Sequence, residues 1–576
     1  MKTLTLENYQ ELQPYIEMAD YKEYNSNTMT MLMWSSMYEV HFETYEDYAI
    51  AYTCMPGRSP VWLMPYGKKE ARYQAVEKIR ERSSQLMIPF EIHSMTREFK
   101  DWLMRTYPDE FLIWDCYDAR DYVYDRKQQE TLSGKKMQKR RNHFNAFVKE
   151  YEGRFVYKKL EIEDLPAVYA FLSQWQSMKE EDDSIDAEDA GIHTLLSHLQ
   201  ELPIVGGCIY VDGKLEAFNI ASRLSSDMIQ IHVEKANRSI RGLYIAILKL
   251  FLETLEDEIL YVNREDDMGL ETLRKAKSDM QPIFKTRKFG SCVESLTIRK
   301  AEEEDLPEIK SLWLRSFQEE TKESTEFFFN KMYHNEDCWI LRSKEELISM
   351  MQLRKMKISL HKQEEDVSFI VGVATNPDYE GCGYMKRLMN HVLALIGNKE
   401  RFTLLQAYNW DLYKPFGFEE TYARARIKAD TKVYTQPKGE LIHDVNSAVL
   451  HDLYDTYTRD KEGYRIRSQE YYETMIEYKK IWNQQILVHV IDNIPTGYVI
   501  LSEEDEEIQV QECIYTSDIS LHAMISLLCE SGKKVYLYTA LDSKVEGRRK
   551  ELTNMMVKAH TEEEFPVDNL FINEEI

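Results

Sequence analysis

Short runs of alternating apolar and polar positions give way, again and again along this chain, to apolar positions at three-and-four spacing. That is strand followed by amphipathic helix. Ile204–Val211 and Leu215–Ala221 read as strands joined by an Asp212-Gly213 turn. Met228–Lys235 reads as a further strand that runs through Asn237–Gly242 into an apolar helix. The same order recurs downstream, with Cys338–Leu341, Leu347–Met351 and Ser368–Thr375 as strands, then a glycine turn and a helix. That helix keeps Leu388, Met389, Val392, Leu395 and Ile396 on one face. Ile486–Asp492, a Pro495-Thr-Gly turn and Tyr498–Leu501 predict one more hairpin.

A second signature also repeats. Phe155–Leu160 and Leu296–Lys300 each read as a strand, and each is followed by an acidic turn containing Asp-Leu-Pro and then a helix (Glu161–Leu172 and Ala301–Trp313). Early acids and an early proline are helix-start signals. Leu4–Tyr9 offers a weaker copy. The pattern predicts an α/β (α+β) chain built from a degenerate repeat of one lobe, with mixed sheets flanked by helices. The expected lobes are residues 1–140, 141–294, 295–435 and 436–576, with the clearest seam near 290–300.

Composition narrows the picture. In 576 residues, 43% apolar and 30% charged positions suit several folded cores and exclude a disordered or collagenous chain. A net charge of −26 argues against wrapping nucleic acid, although a local basic patch can still hold phosphates. The eight cysteines contain no CxxC pair, as expected for free thiols in a reducing cytoplasm. The N-terminus lacks a leader-like apolar run, and Gly242–Leu255, with Lys249 and Glu253 inside it, is too short to span a bilayer. The expectation is a cytoplasmic protein with no membrane partner. Neither His193/His198 nor His443/His451 has zinc-ligand spacing, and the calcium-like run from Asp182 has Ala187 and His193 where glycine and glutamate are needed, so no metal is expected.

The sharpest chemistry lies in the strand, glycine turn and helix at 368–396. Asn376-Pro377-Asp378 stops the strand, and Glu380-Gly381-Cys382-Gly383-Tyr384-Met385 opens the helix. Glycines at such a turn let backbone N–H groups approach an anion, and the helix N-terminus adds a favourable dipole. No Gly-Lys-Ser/Thr ends the turn, and the third glycine of a dinucleotide fingerprint is missing. An ordinary strand-to-helix turn therefore stays open beside a diphosphate cradle.

Val373-Ala-Thr-Asn-Pro-Asp-Tyr-Glu-Gly-Cys-Gly-Tyr-Met385 resembles the acetyl-CoA motif of the GNAT N-acetyltransferases, most of all the branch related to the enhanced-intracellular-survival enzymes. The chain departs from that motif at Glu380, where the family has a basic or amide residue. A second match follows at Tyr408-Asn-Trp-Asp-Leu-Tyr413-Lys-Pro-Phe-Gly-Phe418, like the family's segment in which a tyrosine precedes Phe-Gly-Phe. The resemblance implies tandem acyl-CoA N-acyltransferase lobes and acetyl-CoA as co-substrate. It places the pantetheine arm on the backbone of Val373 and Thr375 and the pyrophosphate on Gly381, Cys382, Gly383, Tyr384 and Met385, with Ala374 and Glu380 also counted in the coenzyme site. It also adds Asn409 to the coenzyme site and makes Tyr413 the acid that protonates the leaving thiolate. Relatives often use the terminal carboxylate as base, which marks Ile576. The implied reaction moves an acetyl group to a primary amine of a small cationic acceptor.

In the first half, Lys135, Lys136, Lys139, Arg140 and Arg141 form a basic cluster in an acidic protein. On one helix, Lys135/Lys139 and Lys136/Arg140 would share a face. A solvated basic face and a phosphate site, for CoA, a tRNA acceptor end or a headgroup, are both open readings. With Asn263-Arg-Glu-Asp266 and Arg274, Lys275 and Lys277, this region resembles the phosphatidylglycerol lysyltransferase C-terminal family over roughly residues 1–290. That family is itself a pair of GNAT-like lobes. The resemblance implies, as the alternative function, aminoacyl-tRNA-dependent transfer; a non-catalytic acyl-CoA-binding protein is the third possibility. From the residues alone, Glu234, Glu265 and Asp266 near Arg241 and Arg264 read either as a structural ion-pair network or as an amine- or acyl-binding cleft.

Overall fold

The computed structural model describes residues 1–176, 183–561 and Phe565. The chain forms two compact units, Met1–Ser295 and Leu296–Ile576.

The first unit holds two sheets. One has eight strands, running Lys2–Thr3, Glu39–Thr44, Tyr48–Cys54, Val61–Leu63, Glu91–Met95, Phe289–Val293 and Phe111–Asp115, with Tyr66–Gly67 paired beside Tyr48–Cys54. The other has seven, in the order Phe284–Lys285, Tyr122–Asp125, Tyr261–Asn263, Met228–Ala236, Lys214–Ser225, Ile204–Val211 and Phe155–Lys159. The lobes do not divide at residue 140. Tyr122–Asp125 already belongs to the second sheet, where it pairs with Tyr261–Asn263, and Phe289–Val293 returns to pair with Phe111–Asp115 in the first. The exchange ties both sheets into one unit, which local composition cannot reveal.

Among its described residues, the second unit is built on one thirteen-stranded sheet. Its first lobe contributes Thr297–Lys300, Cys338–Arg342, Leu347–Leu360, Gln363–Thr375 and Phe402–Leu405. Gly547–Ala559 then pairs with Phe402–Leu405 on one side and Glu419–Ala429 on the other, so the C-terminal strand joins the lobes expected at 295–435 and 436–576.

The repeated Asp-Leu-Pro turns have one physical basis. In each, the aspartate closes a capping box, Glu161 with Asp164 and Glu302 with Asp305. Each aspartate is almost fully buried and held by cations of the preceding strand: Lys158 at 2.7 Å from Asp164, and Arg299 at 2.6 Å from Asp305. Apolar residues of the helices then cover the sheets. Leu243, Ala246 and Ile247 do so in the first unit, and Ile309, Leu312 and Trp313 in the second.

Candidate active site

In the second unit the site is made by a strand that is forced away from its neighbour. Gln363–Thr375 runs parallel to Phe402–Leu405, pairing Ser368 with Thr403 and Ile370 with Leu405, where that partner ends. On the other side, Gln352 faces Gly372 while Leu353 faces Ile370, so Val371 is a bulge that bends the strand just where its parallel neighbour stops. The Asn376 N–H donates to the Ile348 carbonyl at 2.9 Å. Antiparallel pairs alternate, so the N–H and C=O groups of Val373 and Thr375 point away from Leu347–Leu360, toward the open side of the split. Those are the two residues whose backbone the family resemblance assigns to a pantetheine arm.

The turn beyond the split is braced from beneath. Asn376 accepts from the Asp378 N–H at 3.4 Å. Tyr379 is buried, donates its hydroxyl to Glu346, and meets Tyr384 edge-on at 5.9 Å. Burial, and next the Glu346 carboxylate, push the Tyr379 phenol well above its usual range. Gly381 and Gly383 sit at φ 71° and 98°, a left-handed backbone that L side chains adopt only at a cost, and Gly383 is the N-cap of the helix Tyr384–Gly397. Cys382 is fully buried with its sulfur turned toward the Glu380 carbonyl at 3.9 Å, which removes it as a nucleophile. Glu380, Gly381 and Gly383 are exposed, and Met385 is half-buried.

The loop carrying Tyr413 leaves the C-terminal end of Phe402–Leu405, so both matched segments emerge at the same end of neighbouring parallel strands. Tyr413 is half-buried, packs edge-on against Phe418 at 6.3 Å, and has its phenol pushed further above the usual range by burial. Asn409 is exposed and spends its Oδ1 on the Asp411 N–H at 3.2 Å, so its side chain serves the loop. Ile576 lies outside the described residues.

The first unit repeats the device. Met228–Ala236 runs parallel to Tyr261–Asn263 from Met228 to Gln230 and no further. Ile220 faces Val233 while Ala221 faces Ile231, so His232 is the bulge. Gly242, at φ 86°, caps the helix Leu243–Leu252. A Cβ there would lie 2.4 Å from the His143 carbonyl, so the close approach of two helices requires glycine.

Beside this turn opens a cleft of about 440 Å³ lined by Lys135, Lys136, Gln138, Lys139, Asn142, His143 and Arg241. The helix starts only at Gln138, so Lys135 and Lys136 reach the cleft from the preceding turn and not from a shared helical face. Lys135, Lys136, Lys139 and Arg241 have no ion-pair partner among the described residues. Arg141 instead donates to the Leu132 carbonyl at 2.6 Å. Burial, then the cations Arg241, Lys139 and Arg140, hold the His143 imidazole below its ordinary pKa. The expected ion-pair network exists only in part: Arg264 pairs with Glu234 at 2.9 Å, while Arg241 belongs to the cleft.

Residues 18–290 match the family model described as phosphatidylglycerol lysyltransferase, C-terminal, and residues 297–421 match that of the acetyltransferase (GNAT) domain. Both resemblances read from the motifs hold. Each description is of an acyl-group transferase, and the GNAT fold is one that uses acyl-CoA. Among curated proteins, an uncharacterized protein of Mycoplasmoides gallisepticum (strain R(low / passage 15 / clone 2)) is 25% identical over 189 residues, which is 33% of this chain and 60% of that protein. The chain thus spans about 60% of that relative's length. A conserved protein of unknown function from Bacteroides thetaiotaomicron is 25% identical, covering 51% of this chain and 99% of that one, with a TM-score of 0.48. A probable N-acyltransferase from Enterococcus faecalis is 18% identical, covering 46% and 73%, with a TM-score of 0.41. No helix among the described residues is long and apolar enough to cross a membrane.

Sequence reasoning missed Glu346 and Tyr379, because only the register of the hairpin brings Glu346 under the turn. It also missed the polar cluster around His232, described below, whose members come from separate elements.

Proposed function

We propose that the second unit is an N-acetyltransferase that moves an acetyl group from acetyl-CoA to a primary amine of a small cationic acceptor. The observation that carries this reading is the split after Val371, with the Val373 and Thr375 backbone facing an open side and a glycine-capped helix beyond it. The pantetheine arm would pair along Val373 to Thr375 as an added strand. The diphosphate would lie on the turn Gly381–Met385, at the positive end of the helix. In the transfer, the amine attacks the thioester carbonyl and the C–S bond breaks. Tyr413, a phenol protonated at neutral pH, gives its proton to the departing thiolate, and the proton shed by the attacking amine returns the phenolate to its neutral form. The acidic surface favours cationic acceptors. The test is release of free CoA from acetyl-CoA with a panel of polyamines, aminoglycosides and lysine peptides. Tyr413→Phe should lower kcat about 100-fold with KM little changed. No CoA release above background with any amine rejects the reading.

A second reading belongs to the first unit and rests on the basic cleft. Four cations without acidic partners among the described residues, in a chain of net charge −26, line a cavity at a helix N-terminus, which is an arrangement for phosphates. In this reading the cleft holds the phosphates of a tRNA acceptor end, and the first unit transfers the aminoacyl group. Filter retention of aminoacylated tRNA by the full chain, abolished by joint replacement of Lys135, Lys136 and Lys139 with glutamate, supports it; no retention by the wild type rejects it. The protein would act in the cytoplasm in either case.

A further inference from the structure

The split in the first unit is filled differently from its counterpart. Gln230, one residue from the bulge flank, is fixed in orientation by its neighbours: the Asn27 amide donates to its Oε1 at 2.9 Å, and its own Nε2 donates to Thr30 Oγ1 and to Glu265 Oε1, both at 2.8 Å. Asn27 also donates to Ser222 Oγ at 2.9 Å, and Ser222 is 2.7 Å from His232 Nε2. That bond occupies one imidazole nitrogen. The other, Nδ1, has no hydrogen-bond partner, although the His232 side chain is wholly buried. It lies 3.9 Å from Glu265 Oε1, too far for a hydrogen bond and close enough to aim at one side of that carboxylate.

Glu265 is held at the mouth of the split by its backbone. It has φ 59°, an uncommon conformation for a non-glycine residue, and its N–H is fixed by Asn263 Oδ1 at 2.7 Å. Its side chain remains 22% exposed. It is therefore a mostly buried carboxylate, held at one oxygen and open to solvent over about a fifth of its side chain, at the C-terminal ends of the parallel strands Met228–Ala236 and Tyr261–Asn263. The basic cleft lies past the end of the same strand, at the N-terminus of the next helix.

We propose that Glu265 is the catalytic proton acceptor of a second transfer centre, in the first unit, whose acceptor is an amine that attacks through its unprotonated nitrogen. The proposal rests on the aminoacyl-carrier reading of that unit. The amine nitrogen bonds the acyl carbon of the ester while its N–H proton passes to the Glu265 carboxylate. The carbon–oxygen bond to the carrier then breaks, and the departing hydroxyl takes that proton. Gln230 orients the carboxylate, and His232 is a positioning residue behind it.

The surroundings fit this role. Burial comes first in raising the Glu265 carboxyl to about 7, with Lys277 and the Gln230 bond opposing and Asp266 and Asp121 adding to the rise. Tyr24 and Tyr38 face it from the N-terminal lobe, and both phenols are pushed up, first by their own burial. Burial holds the His232 imidazole neutral, down to about 3, so no imidazolium competes for the carboxylate. A base with a pKa near the working pH is the most effective kind.

The test uses the full chain, tRNA aminoacylated with radiolabelled amino acids as donor, and spermidine as acceptor. Label should move to spermidine at a rate that rises through about pH 7, where Glu265 loses its proton. Glu265→Gln should lower that rate about 100-fold and remove the inflection. Glu265→Asp should keep the inflection at a reduced rate, and both variants should retain tRNA on filters as the wild type does. Wild-type rate or an unchanged inflection in Glu265→Gln overturns the proposal, as does a wild type that retains tRNA but transfers no label. Failure of the wild type to retain tRNA removes the carrier reading as well, so the two failures are told apart by the filter arm.

Discussion

Three stretches of this chain share one architecture and differ in what sits on it. Met228–Leu252, Gln363–Gly397 and Glu507–Cys529 each place a bulge in a strand, at His232, Val371 and Gln511, beside a shorter parallel neighbour and ahead of a helix. In the first, a glycine-capped helix faces a cleft of cations without ion-pair partners among the described residues, and a carboxylate and an imidazole fill the split. In the second, two left-handed glycines form the turn and the split stays backbone-lined. In the third, Ser517 caps the helix directly through its side chain, with no glycine in the turn, and the interior is closed by a buried bidentate pair. There Arg467 donates to Glu512 at 2.9 and 2.8 Å, and Tyr498 donates to the same carboxylate at 2.6 Å. The scaffold sets where a ligand could enter. The turn residues and the occupants of the split decide whether anything does.

The largest expected effect tests the closed copy. Arg467 and Glu512 are both about 3% exposed, so Arg467→Met strands a buried carboxylate and should cost about 3–5 kcal/mol in urea unfolding of the second unit. Acetyl-CoA affinity of the surviving folded fraction should be unchanged; a parallel loss would mean that the third copy contributes to the coenzyme site. Next comes the basic copy. Replacing Lys135, Lys139 and Arg241 together with glutamate should weaken tRNA retention at least about 100-fold and flatten its salt dependence, while leaving CoA release untouched. Equal losses in both assays would erase the contrast between the units. The smallest effect sharpens the second copy. Glu380 is an exposed acid where a diphosphate would lie, and Glu380→Gln should tighten acetyl-CoA about threefold to tenfold by calorimetry.

Much of the scaffold was legible in the residues. Periodicity placed the strands and helices around 204–252 and 338–396, and the two Asp-Leu-Pro turns marked real capping boxes. Gly381 and Gly383 could be read as turn residues because a left-handed φ leaves a compositional trace. What could not be read is long-range register. Nothing near Tyr122 says that it joins the second sheet, and nothing near Gly547 says that its strand ties two lobes together. The same limit hid Glu346 beneath the glycine turn. It also hid the partners of Glu265, which the motif had marked: Asn27, Ser222, Gln230 and His232, of which Asn27 and Gln230 stand 203 positions apart.

The central claim is that the glycine-capped turn in the second unit holds the diphosphate of an acyl-CoA. Calorimetric titration of acetyl-CoA into the full chain, beside the same titration into Gly383→Val, tests it most directly. A β-branched residue at φ 98° both strains the cap and puts side-chain atoms where the phosphates would lie. The account predicts saturable binding to the wild type and at least about tenfold weaker binding to the variant, with the circular dichroism of the fold retained. Wild-type affinity in Gly383→Val, or no binding to the wild type at all, contradicts it.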